Sequence, residues 1–281
     1  MIKMQNNISK SGTVRTFLRV GSCSETLCNV LNRSYDRPMY HEEHAALTFA
    51  GGIAQYGYQC GVLWGAALAA GTHAYHTRGG GAKAELAAVY SCRNLSNAFE
   101  LENGDLNCMK LIDTDWNKPA QVVRYFFRGG PFRCLGMAAR FAPIARDILD
   151  KPTDVETEAA SISTPASCSA LTARQLGASE MHAIMASGFA GGIGLCGGGC
   201  GALGTAIWLA TLAQSRETDG RLEIKLPKAL KIASDFLALT DGKMECESIV
   251  GSTFTTVKEH SEYLESGGCR KILELLAQTE M

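Results

Sequence analysis

The chain has 281 residues with 27 basic and 28 acidic side chains, a formal charge of −1, 30 glycines and 11 cysteines. That balance, without any Lys/Arg-rich cluster, argues against nucleic acid or an anionic membrane surface as the partner. The length suits two domains of about 140 residues each, both long enough to bury a core.

The N-terminal stretch MIKMQNNISKSGTVRTFLRV has no apolar core of the signal-peptide kind, so a cytoplasmic, reducing location is expected. Disulfides do not persist there. Eleven cysteines then point to metal ligation or thiol chemistry. The plainer alternative is that cysteine serves as a small buried apolar residue.

In chain order, Cys23 opens a first helix (SETLCNVLNRSY). HEEHAALTFAGG follows and is expected to be helical up to a glycine cap. Cys60 begins a helix of small residues, CGVLWGAALAAG, and a loop THAYHTRGGG leads to the amphipathic AKAELAAVYSCRNLSNAFELENG. Cys108 comes after that cap, and Cys134 precedes LGMAARFAPIARDIL. The polar KPTDVETEAASISTP, residues 151–165, is expected to be a linker.

The series then recurs. SALTARQLGA follows Cys168, EMHAIMASGFAGG comes next, and Cys200 opens CGALGTAIWLATLA. A loop AQSRETDGRLEIKLP, a helix PKALKIASDFLALTDG, Cys246, Cys269 and a last helix RKILELLAQTEM complete it. Alternating strand patterns are nearly absent, so the expected fold is all-α.

The recurrence extends to the residues themselves. FAGGIAQYGYQCGVLW (49–64) aligns without a gap on FAGGIGLCGGGCGALG (189–204), and the 22-residue alignment to Ala70 and Ala210 keeps eleven identities. SCSETL matches SCSALT upstream, and NGDLNCMKLI matches DGKMECESIV downstream. The chain is an internal duplication: a first lobe over 1–150, the linker over 151–165, and a second lobe over 166–281. Cys23, Cys60, Cys108 and Cys134 match Cys168, Cys200, Cys246 and Cys269. Cys28, Cys92 and Cys196 fall outside the scheme and read as buried small residues.

Two charge-free runs, Ala45–Thr77 and Ala183–Ser215, are long enough to cross a bilayer. They are rich in glycine and alanine, however, and glycine costs about 1 kcal/mol relative to alanine inside a helix. Each is expected to be two helices around a glycine turn, buried in protein, with no membrane span.

The matched cysteines fall at helix starts or just past glycine caps, where the thiolate is favoured. Sets of soft thiolates select iron–sulfur clusters, zinc or copper(I). Structural zinc sites come as paired C-x₂₋₄-C knuckles, which are lacking here apart from Cys196 and Cys200. Ligands scattered over several helices favour a cluster held inside a bundle. His41 and His44 in YHEEH, and His73 and His76 in THAYH, are not repeated in lobe two. They suit polar helix-end roles, or, with Glu42 and Glu43 alongside, a second metal or substrate site in which His41 and His44 would be extra ligands. Trp64 and Trp208 read as core residues.

The pattern C…GCAxxG…C…C, with GCGALG at 199–204, resembles the redox-active family named after it, which includes the cluster-binding part of split-Soret cytochromes. The resemblance covers both lobes. It implies an all-α domain, an iron–sulfur or other metal centre and a redox role in anaerobes. It also favours [2Fe–2S] over [4Fe–4S]. Lobe two fits the pattern with Gly201 as its one departure from alanine. In lobe one Gln59 and Trp64 replace both motif glycines, so the site around Cys60 is expected to be the more divergent and Trp64 to crowd its turn. The expectation is an iron–sulfur redox protein with one cluster per lobe that passes electrons to a partner protein. The alternatives are a cluster- or metal-dependent enzyme centred on lobe one, or a thiolate store for copper(I) or zinc. The chain is expected to be a monomer with pseudo-two-fold symmetry or a homodimer.

Overall fold

The structure, a computed structural model, describes residues 8–160, 162, 166–220, 222 and 226–279. Residues 161 and 163–165 of the expected linker, and 221 and 223–225 of the lobe-two loop, lie outside them.

Lobe one comprises α1 (Lys10–Val20), α2 (Cys23–Ser34), α3 (Tyr40–Ala45), α4 (Gly61–Arg78), α5 (Ala82–Asn103), α6 (Cys108–Ile112), α7 (Pro119–Phe127) and α8 (Gly130–Leu149). After α9 (Glu156–Ala159), lobe two comprises α10 (Cys168–Gln175), α11 (Glu180–Ser187), α12 (Gly201–Glu217) and α13 (Pro227–Leu239). It ends with α14 (Cys246–Val250), α15 (Val257–Glu265) and α16 (Arg270–Ala277). From α2 and α10 onward the two lobes present seven helices in the same order. Their starts are specified alike: the Ser22 hydroxyl accepts from Glu25 N–H and the Ser167 hydroxyl from Ala170 N–H, both at 3.2 Å. Among the described residues there are no strands beyond two isolated bridges. No helix among them is long and apolar enough to cross a membrane.

The lobes interlock. α3 packs on α12 and α11 on α4, an exchange of equivalent elements. The alignment places Glu42 opposite His182 and Phe49 opposite Phe189, and each pair meets its own counterpart. Glu42 Oε1 lies 3.2 Å from His182 Nε2, and the two phenylalanine rings are edge-to-face at 5.5 Å. Contact between equivalent positions marks a pseudo-two-fold axis at that point. The expectation that each lobe buries a core of its own needs correction. One continuous cluster of buried side chains runs through both lobes, from Leu27 and Trp64 to Trp208 and Phe236.

Small residues make this interlock possible. A Cβ on Gly71 would stand 2.3 Å from the Met185 carbonyl, and one on Gly204 would stand 2.5 Å from the Trp64 ring. Both are closer than packed atoms tolerate.

Several boundaries differ from the sequence reading. α3 stops at Ala45 and passes through a 3₁₀ turn (Ala46–Phe49) before the glycines, so HEEHAALTFAGG is not one helix. α8 starts at Gly130, helped by Pro131 in its first turn, which puts Cys134 inside the helix rather than ahead of it. α7 and α15, between the third and fourth cysteines, were not expected, nor was α9 within the linker, where it packs on α5.

Candidate thiol centres

The FAGGI segment of each lobe is a loop that folds back on itself. Gly51, Gly52, Ile53 and Gly57 all have positive φ, as do Gly191, Gly192, Ile193 and Gly197. At Gly52 and Gly192 a Cβ would lie 2.3 Å from backbone atoms of Tyr58 and Gly198, so only glycine closes the loop. The bond that closes the loop is the same in both lobes. Gly57 N–H donates to Gly51 O at 3.0 Å, and Gly197 N–H donates to Gly191 O at 2.9 Å.

Beyond the loop a short antiparallel bridge aligns the second and third cysteines. Cys60 N–H donates to Leu106 O at 2.8 Å and Cys108 N–H to Tyr58 O at 2.7 Å. In lobe two, Cys200 N–H donates to Met244 O at 2.8 Å and Cys246 N–H to Gly198 O at 2.6 Å. Residues 48 and 46 positions apart in sequence are thereby held side by side. Cys23, Cys108, Cys168 and Cys246 are the first residues of their helices, while Cys60, Cys200 and Cys269 cap theirs. Cys134 alone lies inside a helix.

In lobe one the four thiols line one cavity of about 620 Å³, with Ser22, Gly51, Gln55, Trp116 and Tyr125 among its other walls. Cys23 is held below the usual thiol pKa, first by a hydrogen bond from Cys60, against the pull of burial, and then by N–H groups that include Ser24 and Gly51. The same contact, together with burial, pushes Cys60 well up. Burial raises Cys108, and raises Cys134 to about 12. Gly61 lets the Cys23 sulfur lie against the start of α4, for a Cβ there would be 2.7 Å from Sγ.

In lobe two the four thiols act on one another electrostatically: Cys168, Cys200 and Cys269 all raise Cys246, after burial. Burial opposes the Cys168 thiolate, but the imidazolium of His260, the Gly191 N–H and the Ser169 hydroxyl outweigh it and lower the pKa. Burial also raises Cys200, whose sulfur receives the N–H groups of Leu203 and Ala202. Cys269 rises to about 11, again mainly through burial. Among the described residues, no three His, Cys, Asp or Glu side chains are grouped tightly enough to hold a metal ion as they stand.

His41 and His44 do not line the lobe-one cavity. They join the lobes instead. His41 Nδ1 is 3.1 Å from Ser215 Oγ, and His44 bridges Glu25 at 3.1 Å and Gly220 O at 2.8 Å. Glu42 is held by Arg216 at 2.7 Å and Glu43 by Asn29 at 2.7 Å. His73 packs on Tyr35, ring centres 4.3 Å apart. Of the unmatched cysteines, Cys28 and Cys92 are fully buried and Cys196 half-buried.

Sequence reasoning missed the contribution of α7 and α15. The 138-residue offset that relates Cys108 to Cys246 also relates Tyr125 to Tyr263, Val122 to His260 and Trp116 to Phe254. Tyr125 Oη is 3.2 Å from Cys134 Sγ, and Tyr263 hydrogen-bonds Cys269 in the same way. The signal was a tyrosine nine and six residues before the fourth cysteine. No helix had been expected there to give those spacings meaning.

A family model described as "Putative redox-active protein (C_GCAxxG_C_C)" matches the chain twice, over residues 22–148 and 164–279. The chain belongs to the C_GCAxxG_C_C family. No curated protein and no solved structure matches it.

As a tandem C_GCAxxG_C_C protein, the chain replaces both motif glycines of lobe one, with Gln59 and Trp64, and both replacements face the other lobe. Gln59 Nε2 donates to Gly192 O at 2.9 Å. Trp64 stacks on Phe49 at 4.7 Å, meets Phe189 at 4.6 Å and covers Gly204. Trp64, expected to crowd its turn, is a buried core residue that does not line the cavity. The motif glycine kept in lobe two is the seat for the tryptophan that replaced it in lobe one.

Proposed function

We propose that this C_GCAxxG_C_C protein is an iron–sulfur electron-transfer protein. It would hold one cluster per lobe, on Cys23, Cys60, Cys108 and Cys134 and on Cys168, Cys200, Cys246 and Cys269. The observation that carries the proposal is the convergence of the four lobe-one cysteines, from four different helices, on one cavity. The donor set fits: four soft thiols select such a group. N–H groups of the glycine loop and of the α12 start already face the sulfurs, and hydrogen bonds of this kind stabilise and tune a cluster. The buried Trp116 Nε1 has no oxygen or nitrogen acceptor and lies beside the Cys108 thiol. A sulfur-rich occupant would satisfy it. When bound, the cluster supplies a one-electron store. The chain's own part is to hold the thiolates, exclude water with Trp116, Tyr125 and Phe254, and present the site to a redox partner protein in a reducing cytoplasm. Likeness to the split-Soret cytochromes supports [2Fe–2S] as the form.

The test is anaerobic purification followed by iron and sulfide analysis and a visible spectrum. Visible sulfur-to-iron charge-transfer absorption, and loss of half the iron in each of Cys60→Ser and Cys200→Ser, are expected. A colourless, iron-free protein would overturn the proposal.

The Cys23–Cys60 hydrogen bond favours one second reading. These two thiols would exchange with a disulfide of a partner protein, which takes up the two electrons and two protons and leaves as two thiols. Counting free thiols before and after oxidation of the iron-free protein tests it.

A further inference from the structure

The lobe-one cavity is larger and more apolar than four thiols require. Phe17, Leu111, Ile112, Val122, Tyr125 and Phe126 line it, and its volume of about 620 Å³ lies within the roughly 300–1,000 Å³ of small-molecule sites. Its rim is apolar and exposed. Val123 and Phe126 are more than half exposed, and Phe127 and Phe132 beside them are 89% and 76% exposed. The segment that carries α7 and α8 is also basic: between Asp115 and Asp147 the sequence has six Lys or Arg residues and no acidic one, and Lys118, Arg124, Arg140 and Arg146 are paired with carboxylates. Arg128 and Arg133 have no carboxylate partner among the described residues, whereas Arg124 is tied to Asp113.

Lobe two has a cavity of its own, about 640 Å³ beside Tyr263 and Cys269, but Cys269 is the one matched thiol that lines it and no phenylalanine or tryptophan does. The place of Val122 is taken by His260, fully buried against Phe254 with ring centres 5.0 Å apart. α15 carries Glu259, Glu262 and Glu265 where α7 has Gln121, Arg124 and Phe127. Since the two lobes share their thiol framework, the framework does not explain the chamber or its charge.

We propose that the lobe-one cavity binds a small aromatic anion, its ring among Trp116, Tyr125, Phe126 and Val122 and its charged group towards Arg128 and Arg133. The proposal deepens the redox reading by giving the lobe-one centre a substrate class, and rests on that reading only for what the bound molecule does there. Aromatic walls supply most of the contact area, while the unpaired Arg128 and Arg133, close in sequence to the lining residues Phe126 and Cys134, would select and steer an anion.

Isothermal titration of the anaerobically purified full chain with 1-naphthoate tests it, with uncharged 1-naphthalenemethanol as comparator. One site per chain is expected, with naphthoate tighter by about fivefold or more. Val122→Trp, which fills the cavity, should weaken both compounds by about tenfold or more. Val122→Phe replaces it should circular dichroism show that Val122→Trp misfolds. Arg128→Glu/Arg133→Glu should erase the preference for the anion, as should high salt. Absence of binding, or binding unchanged by the cavity-filling variant, overturns the proposal. So does a concentration-dependent dimer that Phe127→Glu dissociates while naphthoate still fails to bind, because the rim would then belong to a second copy. Iron measured on the same samples keeps the two ideas apart. Naphthoate binding to an iron-free chain retains the pocket and sinks the cluster.

Discussion

In lobe one Val122 lines an open chamber beside four thiols, and in lobe two its counterpart His260 is buried against the first thiol of the set. Trp116 corresponds to Phe254 and Trp64 to Gly204 in the same way. The glycine-to-glycine bond that closes each loop and the bonds of the cysteine bridge, by contrast, are the same in both lobes. Duplication thus kept the backbone devices that position sulfur and released the side chains around them. Some of the released side chains were used to join the lobes, and others to give lobe one a chamber that gathers all four thiols, whereas the lobe-two cavity reaches Cys269 alone among its set.

The largest expected effect breaks the join. Trp64→Ala removes a fully buried indole from between Phe49, Phe189 and Gly204. It should cost about 3–5 kcal/mol in urea denaturation, the range for truncating a buried large aromatic residue. Because the core is continuous, both lobes should unfold together, followed by helicity and by tyrosine fluorescence. A loss below about 1 kcal/mol or two separate transitions would show that the lobes are independent after all.

A smaller effect concerns the axis. Burial works against the Glu42 carboxylate, but His182 and Arg216 hold its pKa down to about 2, below its ordinary 4.5. An acid depressed on folding contributes stability above its unfolded pKa and loses it as the pH falls through the folded value. The stability curve should therefore fall between about pH 4.5 and pH 2, and Glu42→Gln should flatten that limb. At neutral pH the same variant should lose about 1–3 kcal/mol, since it leaves a charged partner imperfectly paired. Urea midpoints measured across this pH range check both parts. An unchanged acid limb would mean that the axis pair carries no charge dependence.

The smallest effect sharpens the likeness of the lobes. Tyr125 and Tyr263 make the same contact to the fourth thiol. Tyr125→Phe and Tyr263→Phe should leave iron content unchanged and move the reduction potential of the altered lobe to a more negative value, because a hydrogen bond to sulfur is lost. Equal shifts would show equivalent centres. A shift in one lobe alone would show that the surroundings, not the tyrosine, set the potential.

Much of this was legible in the residues. The FAGGI…CG repeat, the serine caps before Cys23 and Cys168 and the glycine breaks are local signals, and they determined an all-α duplicated chain with four matched cysteines per lobe. Helix starts and loop closures depend on φ preferences and short-range hydrogen bonds, which a few adjacent residues specify. Only the tertiary structure decided which face each side chain meets. Trp64 reads as an obstruction at its own site until α12 places Gly204 beneath it. His41 and His44 read either as polar helix-end residues or as extra ligands, and Ser215 and Gly220 arrive from the other lobe to hold them. Val122, Tyr125 and Trp116 carry no motif, and they gain meaning when α7 folds over the cysteines. Contacts between residues more than a hundred positions apart follow from packing of the whole chain, which local spacing does not encode.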